Sequence, residues 1–422
     1  MIKSTSSNAT SVTVNKEMLT MAKEYTLAKT ASATLVLVIA VTNVLLGNSN
    51  YIPRELRYNV YNKLLGLLPY EQRNSTTTCT IHGERRIALL HQLKEKLQKH
   101  DPAIHTCSDA LNHALGQFII AYKRKESEEK GEDKEVKLTP PIHLLGSKRD
   151  AKMQIAIRTV LMGKKSYSKI VDTCTGALSI FRALEVTGSV LLNDLDKNKI
   201  ALYRTLQHNA CRLLTDFVTT PCDRELYEIY KKRLLSSDYG SEYEQASLFL
   251  YLNFYDLYYG KMNFHANNFS LDKICLFLLI AKKLQGVRFD TKNLLSLIPT
   301  LTNETDTLLL CDPPYIDTDT YQHNLTNEEH HRLAKMLLRH KGDFVYFCRV
   351  SAKGDNAEID TKLITAKIED AYANHGLFYL DVPTKDGIER IITNFPFEDG
   401  QSFVIPPQGG NKSPFPDGKD GE

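Results

Sequence analysis

The sequence contains no tryptophan, and its cysteines lack the spacing of a metal site. None of the eight cysteines lies three residues from another, so the chain has no C-x-x-C pair of the kind that zinc fingers require. The sequence therefore predicts free thiols in a reducing compartment and no structural metal. The opening segment, Met1 to Val14, is polar and does not fit a signal peptide, so we expect a cytoplasmic protein.

A strong excess of charge is also missing. The formal net charge is only +3 over 422 residues, which does not by itself identify a nucleic-acid-binding protein. A near-neutral total can still hide a basic face opposite an acidic one. The length is sufficient for two or three domains, each with its own core.

Charged residues are absent from Thr30 to Pro53, and the middle of this stretch, Leu35 to Val41, is as apolar as a membrane span. The continuous apolar run is nevertheless shorter than the ~20 residues that cross a bilayer. We expect a buried or self-associating helix and no membrane contact, with membrane insertion as the weaker alternative. Polar residues interrupt the stretch at Thr30, Ser32, Thr34, Thr42, Asn43, Asn48 and Asn50.

The pattern of residues divides the chain into four parts. Residues 1–120 carry apolar residues at helical spacing, notably at residues 56–65 and 85–97, and no chemical motif, which predicts a helical region. Residues 121–139 mix charges of both signs with glycine and proline, which is typical of a linker. Residues 140–405 alternate between strand and helix patterns, and residues 406–422 are rich in proline, glycine and charge, which predicts a disordered tail.

Three apolar strands in the third part each end in an aspartate, at Asp172, Asp194 and Asp312. Further strands are predicted at residues 343–347 and 389–393, with amphipathic helices at residues 197–206 and 327–338. Alternation of strand and helix predicts an α/β fold with a doubly wound, mostly parallel sheet. Ligands of such sheets bind beyond the carboxyl ends of the strands, where the three aspartates are expected.

The sequence Asp312-Pro313-Pro314-Tyr315 directly follows the third strand. The two prolines fix the backbone, so that the Asp312 carboxylate and the Pro313 carbonyl point the same way and form a paired acceptor. Such a pair suits an exocyclic amine whose lone pair is delocalised into a base, because it accepts both amine hydrogens. Tyr315 would stack on a base extruded from a duplex. The alternative is an ordinary loop with an aspartate cap and a proline turn.

Residue types that suit a nucleotide-like cofactor lie around this motif. An acid at the end of the second strand, Asp194, is placed to accept from ribose hydroxyls. Gly176 after the first strand permits close backbone approach, and Lys148 could pair with a carboxylate. Taken singly, each has a plain structural alternative, with Asp194 as a helix N-cap, Gly176 as a turn and Lys148 as a solvated charge.

Over residues 141–396 these segments resemble, in order, the Dam-type family of adenine-specific DNA methyltransferases. The resemblance implies S-adenosylmethionine as cofactor, double-stranded DNA with a flipped adenine as substrate, and a DNA-recognition insert at about residues 207–300. It assigns the catalytic loop to Asp312, Pro313, Pro314 and Tyr315, and it assigns cofactor binding to Gly146, Ser147, Lys148, Asp172, Gly176, Asp194 and Asp312.

The chain departs from the family pattern in the cofactor loop. Cys174 replaces a phenylalanine, Leu178 replaces a second glycine, and Leu144 replaces an aromatic residue before Gly146. A catalytically weak or inactive methyltransferase-fold protein that binds DNA or a partner is therefore one alternative, and a methyltransferase of RNA or protein is another. Residues 1–120 are expected to bind another copy of the chain, a partner protein or DNA and not to form a second active site, so that a fragment from about Lys137 would fold and bind cofactor alone.

Overall fold

The computed structural model describes residues 9–47, 76–82, 84–99, 104–130, 142, 148, 150–161, 166–185, 187–256, 263–266, 270–316, 324–350, 368, 372, 375–384, 387–397 and 400–402. The chain forms two compact units. The first contains Met1–Ala151, Thr175–Arg182 and Asp194–Thr291, and the second contains Lys152–Cys174, Ala183–Asn193 and Lys292–Glu422.

The first unit is mostly helical. Its elements are β1 (Ala9–Asn15), α1 (Lys16–Thr26), α2 (Ala31–Gly47), β2 (Thr76–His82), α3 (Glu84–Gln98), α4 (Cys107–Lys130), most of α6 (Ser179–Ala183), α7 (Lys197–Thr219), α8 (Arg224–Leu235), α9 (Glu242–Phe254), α10 (Leu271–Lys283) and β5 (Arg288–Asp290).

Two strands near the start of the chain are not apparent from the sequence. β1 and β2 pair antiparallel, from Ala9 opposite His82 to Asn15 opposite Thr76. The sequence predicted only helices here, because strands separated by some sixty residues give no local pairing signal. The helix predicted around residues 85–97 is confirmed by α3. The helical pattern at residues 56–65 lies outside the described residues.

The apolar stretch forms α2, and Leu35 to Val41 are at most 8 % exposed. The prediction of a buried helix is confirmed, because α2 packs within its own unit against α3, α4 and α7. Consequently, this stretch is not an exposed surface for self-association. No single helix in the described segments is long and apolar enough to cross a membrane, although the pair Lys16–Thr26 and Ala31–Thr42, bent by 84°, meets these criteria together.

The predicted linker at residues 121–139 is wrong in its first half. α4 continues to Lys130, and Tyr122 and Lys125 are buried within it. The charges that suggested solvated chain make specific pairs, including Lys125 with Glu128 at 2.6 Å. A run of mixed charges is compatible with a helix when its members pair three or four residues apart or with neighbouring helices. Residues 131–139 and the predicted tail at 406–422 lie outside the described residues.

The second unit is built on a seven-stranded sheet in the order β10-β8-β9-β7-β6-β3-β4. Strands β4, β3, β6 and β7 pair parallel, whereas β7 with β9, β9 with β8 and β8 with β10 pair antiparallel. The elements are α5 (Ala151–Leu161), β3 (Lys169–Asp172), β4 (Ser189–Asn193), α11 (Leu294–Leu297), a 3-10 helix (Ile298–Leu301), β6 (Thr307–Cys311), α12 (Asn327–Arg339), β7 (Asp343–Arg349), β8 (Phe378–Thr384), β9 (Gly387–Thr393) and β10 (Gln401–Ser402).

The apolar strands of the sheet form its core. All five residues of β6 are buried, and Leu309 packs in a cluster that includes Leu333 and Leu337 from α12. A capping box starts α12, since Thr326 accepts from the Glu329 backbone and Glu329 accepts from the Thr326 backbone. The predicted α/β class, the strands and both amphipathic helices are confirmed.

Candidate active site

The Asp312-Pro313-Pro314-Tyr315 loop, which is the proposed catalytic loop, follows the carboxyl end of strand β6. Pro313 is buried, while Asp312, Pro314 and Tyr315 are half-buried. β3 runs parallel beside β6, with Asp172 opposite Leu310 in the register. Because parallel strands end at the same edge, Asp172 and the catalytic loop lie together at the edge where ligands of such sheets bind.

Thr173 fastens the end of β3 to the end of β6. Its hydroxyl donates to the Leu310 carbonyl at 3.1 Å and lies 3.0 Å from Cys311 Sγ, and its backbone N–H donates to the Leu310 carbonyl at 2.9 Å. This role is not visible in the sequence, because a threonine after a strand carries no signal of a contact 137 residues away. Thr173 therefore fixes the backbone on which the catalytic loop begins.

The Cys311 thiol reports the charge around the loop. The pKa of Cys311 is raised to about 12, chiefly by burial. The negative charges of Asp172 and Asp312 also raise this pKa, whereas the Thr173 hydrogen bond lowers it. Both carboxylates are thus close enough to act on the same thiol. With this pKa, Cys311 stays protonated at neutral pH and is not a nucleophile.

Tyr315 is hydrogen-bonded to a residue for which the sequence predicted only a strand position. Its hydroxyl donates to Glu389 Oε2 at 2.9 Å, and Glu389 lies on β9. The neighbouring Arg390 forms a bidentate pair with Asp381 at 2.7 and 2.9 Å. Tyr315 is therefore anchored at its hydroxyl end by an ordered antiparallel strand pair.

A small cavity lies beside the end of the catalytic loop. It has a volume of about 20 Å³, and its lining includes Ile316, Tyr346 and Tyr372 together with Asn327, His330 and His331 of α12. This volume suits about one water molecule and is far too small for a base. A base stacked on Tyr315 would therefore lie outside this cavity.

Asp194, one of the residues expected to bind cofactor, makes several hydrogen bonds to other residues of the first unit. Its carboxylate accepts from the Gly176 backbone at 2.8 Å, from the Asp196 backbone at 3.0 Å and from Lys199 Nζ at 3.2 Å. The Gly176 carbonyl accepts from the Tyr203 hydroxyl at 2.5 Å. Asp194 therefore fixes the glycine turn to the start of α7.

The N-cap of α7 is Asp196, which accepts from the Asn198 backbone at 2.9 Å. The alternative in which Asp194 serves only as the cap of this helix is thereby wrong. The preceding residue, Asn193, is 1 % exposed and belongs to the second unit. Its amide donates to the Thr173 and Lys292 carbonyls, both at 2.9 Å, so it ties the ends of β3 and β4 to the start of the segment after Thr291.

Of the three adjacent residues expected to bind cofactor before α5, Gly146, Ser147 and Lys148, the structure describes only Lys148. Lys148 is 3 % exposed, which contradicts the plain alternative of a solvated charge. Gly146 and Ser147 lie outside the described residues. A lysine buried to this degree requires polar partners, since an isolated buried ammonium is strongly disfavoured.

Leu178 occupies a conformation that normally belongs to glycine. Its φ is +62°, close to the +51° of Gly176, and its side chain is fully buried. The departure from the family pattern at this position therefore changes the side chain and keeps a glycine-like backbone. A left-handed conformation costs a residue with a Cβ about 1–2 kcal/mol.

Leu178→Gly is expected to unfold at higher urea concentration than Leu178→Ala, with a difference of about 1 kcal/mol in the free energy of unfolding. Both variants lose the buried side chain, but only glycine relieves the left-handed strain. Leu214, buried in α7, is the matched control, because there glycine should be less stable than alanine by about 1 kcal/mol. The same order at both positions would contradict strain at Leu178.

Basic and aromatic residues between positions 224 and 243 are of the types that contact a DNA backbone or stack on bases, but several of them pair within the protein instead. Tyr227 is fully buried, Arg233 pairs with Glu244 at 2.6 Å, and the Tyr243 hydroxyl donates to Asp216 at 2.6 Å. The Arg233–Glu244 pair joins α8 to α9, and the Tyr243–Asp216 hydrogen bond joins α9 to α7, so these side chains are not a free surface. Exposed positions of α8 include Arg224 and Lys232.

Comparison with known proteins adds one match. A family model described as D12 class N6 adenine-specific DNA methyltransferase matches residues 145–381, which is more than half of the chain. The match covers the loop after β3, Asp194 and the Asp312–Tyr315 loop, and it does not include the region before residue 145. No curated protein matches the chain.

Proposed function

Because the chain belongs to the D12 class N6 adenine-specific DNA methyltransferases, we propose that it methylates adenine flipped out of double-stranded DNA, with S-adenosylmethionine as the methyl donor. The observation that carries the proposal is the intact Asp312-Pro313-Pro314-Tyr315 loop at the carboxyl end of the buried strand β6, beside Asp172. The family match supports adenine as the base and DNA as the substrate.

The catalytic loop matches the chemical demand of the amine. The lone pair of the adenine N6 amine is delocalised into the ring, so the enzyme must stabilise a more tetrahedral nitrogen as the new bond forms. The Asp312 carboxylate and the Pro313 carbonyl would accept the two amine hydrogens as this charge develops. Tyr315, whose hydroxyl is anchored by Glu389, would present its ring to the flipped base.

The residues of the loop after β3 fit a nucleoside cofactor. Asp194 is a buried carboxylate at the start of α7, and Gly176 has a left-handed φ of +51° that brings bare backbone to the turn. The bound cofactor would supply an electrophilic methyl group. Asp194 would accept from ribose hydroxyls, and Asp172, Gly146, Ser147 and Lys148 are the other proposed binding residues.

Target recognition is proposed for the insert at about residues 207–300. This range includes most of α7 and all of α8, α9 and α10. Exposed Arg224 and Lys232 on α8 suit phosphate contact, which positions a protein on DNA without reading sequence. All eight cysteines are free thiols, which supports the proposal that the protein acts in the reducing cytoplasm.

Incubation of the protein with methyl-labelled S-adenosylmethionine and unmethylated double-stranded DNA tests the function. We expect label in DNA, recovered as N6-methyladenine after digestion, and no label with Asp312→Ala. Parallel incubations with RNA and with protein substrates serve as comparisons. Label confined to RNA or protein would replace the proposed substrate, and cofactor and DNA binding without any transfer would indicate an inactive methyltransferase fold.

Asp194→Ala is expected to raise the Kd for S-adenosylmethionine about tenfold or more, with kcat at saturating cofactor little changed. Because the ribose would be bound equally in the ground and transition states, loss of the Asp194 contact to the ribose should weaken cofactor affinity and leave kcat nearly unchanged. Calorimetry measures the Kd directly. Asp196→Ala is the matched control, because it removes the α7 cap at a cost of about 1 kcal/mol in stability and should leave the cofactor Kd unchanged.

Glu389→Leu is expected to lower kcat roughly fivefold to tenfold, whereas Glu389→Gln, which retains an acceptor oxygen, should stay within about threefold of the wild type. The Tyr315 hydroxyl loses its partner in the leucine variant, and a hydrogen bond of this kind contributes about 1 kcal/mol. Steady-state methylation kinetics measure the effect. Equal kcat values for the two variants would show that the anchor has no role in catalysis.

A further inference from the structure

We propose that Glu129, on the helix α4 that precedes the family domain, is a positioning residue for the cofactor loop and acts through Arg182. The inference rests on the proposed binding of S-adenosylmethionine by the loop at Thr175–Leu178. It assigns to the region before residue 145 a part in cofactor binding that the family match at 145–381 does not include.

The two side chains form a bidentate ion pair inside the first unit. Arg182 Nε donates to Glu129 Oε2 at 2.9 Å, and Arg182 Nη2 donates to Glu129 Oε1 at 2.5 Å. The Arg182 side chain is only 2 % exposed and that of Glu129 is 16 % exposed. Two parallel charge-assisted hydrogen bonds fix both the distance and the orientation of the guanidinium.

Arg182 is joined to the cofactor loop by its backbone. Its N–H donates to the carbonyl of Leu178 at 2.9 Å, and the Leu178 N–H donates to the Thr175 carbonyl at 2.9 Å. Leu178 is the residue with a left-handed φ of +62°. A shift of Arg182 would therefore move Leu178, the strained residue of the loop, through one backbone hydrogen bond.

The helix that carries Arg182 depends on such anchors. α6 has only five residues, and an isolated helix of this length is not stable. A second anchor comes from α10, where Lys283 Nζ donates to the Arg182 carbonyl at 2.6 Å and lies 5.3 Å from the centre of the Phe181 ring. Glu129 is thus the acidic anchor of α6, and Lys283 is the basic one.

Stability alone does not explain a buried ion pair. The desolvation of two charges largely offsets their attraction, and well-packed apolar residues often stabilise a fold equally well. What the pair adds is directional constraint, which apolar contacts lack. Glu129 should therefore affect the geometry of the cofactor loop, and hence cofactor affinity, more than it affects the fold.

The test compares full-length variants by calorimetry with S-adenosylmethionine and by methylation kinetics. The double variant Glu129→Met, Arg182→Met removes both charges, so no unpaired charge stays buried, and Glu129→Gln keeps the shape of the acid. We expect the Kd and the KM for S-adenosylmethionine to rise about tenfold in the double variant and less in Glu129→Gln. We expect kcat at saturating cofactor to stay within about twofold.

Arg124→Met is the matched control. Arg124 lies on the same helix and pairs with Asp272 of α10, but this pair is about half exposed, unlike the buried pair of Glu129 with Arg182. The control should bind cofactor like the wild type. Cofactor affinity unchanged in the double variant and in Glu129→Gln, each with a cooperative melting transition, would overturn the inference and leave the proposed function intact. A wild-type protein that fails to bind S-adenosylmethionine would overturn both.

Discussion

Replacement of Asp312 by alanine is expected to lower the rate of methyl transfer at least about 100-fold, with the Kd for cofactor and for DNA changed far less. In the proposed reaction the Asp312 carboxylate would accept from the amine chiefly as charge develops on the nitrogen, so its contribution would appear in the transition state. Loss of one such hydrogen bond typically lowers kcat 10²–10³-fold. Single-turnover methylation of DNA, with cofactor and DNA binding measured separately, checks the result.

A matched control lies at the other end of the same strand. Asp306 immediately precedes β6, and its carboxylate accepts from the Ser168 backbone at 3.2 Å. Asp306→Ala removes the acid before β6 and leaves the Asp312 loop unchanged, so the variant should methylate DNA at the wild-type rate. An Asp312→Ala variant that retains more than about a tenth of the wild-type rate would contradict the assigned role of the carboxylate.

Local pattern was sufficient to predict five strands of the sheet (β3, β4, β6, β7 and β9) but not β8 or β10. The runs before Asp172 and Asp312 are short, apolar and followed by turn residues, so strand type and strand end coincide in one signal. The parallel pairing of β3 with β6 follows from the strand–helix alternation. These are features that a segment carries in its own residues.

Contacts between distant segments could not be predicted. Thr173 contacts Leu310, Tyr315 contacts Glu389, and Arg182 contacts Glu129, and each pair joins residues 53 or more positions apart. Threonine, glutamate and arginine at such positions are common on protein surfaces, so nothing in their type marks them. Their roles become visible only once the fold brings each pair together.

The charged segment after Ala121 shows why composition misled. A glutamate-rich and lysine-rich run is typical of both a linker and a helix with paired charges. The distinguishing fact is the burial of Tyr122, whose ring stacks on Tyr25 with a centroid distance of 4.0 Å. That contact depends on α1, almost a hundred residues earlier, so the local pattern did not contain it.

Deletion of residues 1–136 is expected to abolish soluble folding and cofactor binding, which reverses the expectation drawn from the sequence. α2 packs on α7, and α4 packs on α10, so the deletion exposes the apolar faces that these contacts cover. Seven consecutive residues, Leu35 to Val41, are at most 8 % exposed in the intact protein.

The size of the effect follows from burial. A fully buried aliphatic side chain contributes about 1.5–3 kcal/mol, so the loss of α2 alone removes on the order of 10 kcal/mol. The whole stability of a domain is typically about 5–15 kcal/mol. The deletion also removes Glu129, the ion-pair partner of the buried Arg182, and loss of one partner of a buried ion pair is itself strongly destabilising.

Expression of the fragment from Lys137 onward, with its soluble fraction, melting transition and S-adenosylmethionine affinity measured, tests this expectation. A chain that lacks only residues 1–8, which precede β1, is the control and should behave like the wild type. A soluble fragment that melts cooperatively and binds cofactor with wild-type affinity would show that the helices before the family domain are dispensable. It would also show that α7 and α10 keep their structure without α2 and α4. The burial of α2 would then need an explanation other than support of the family domain.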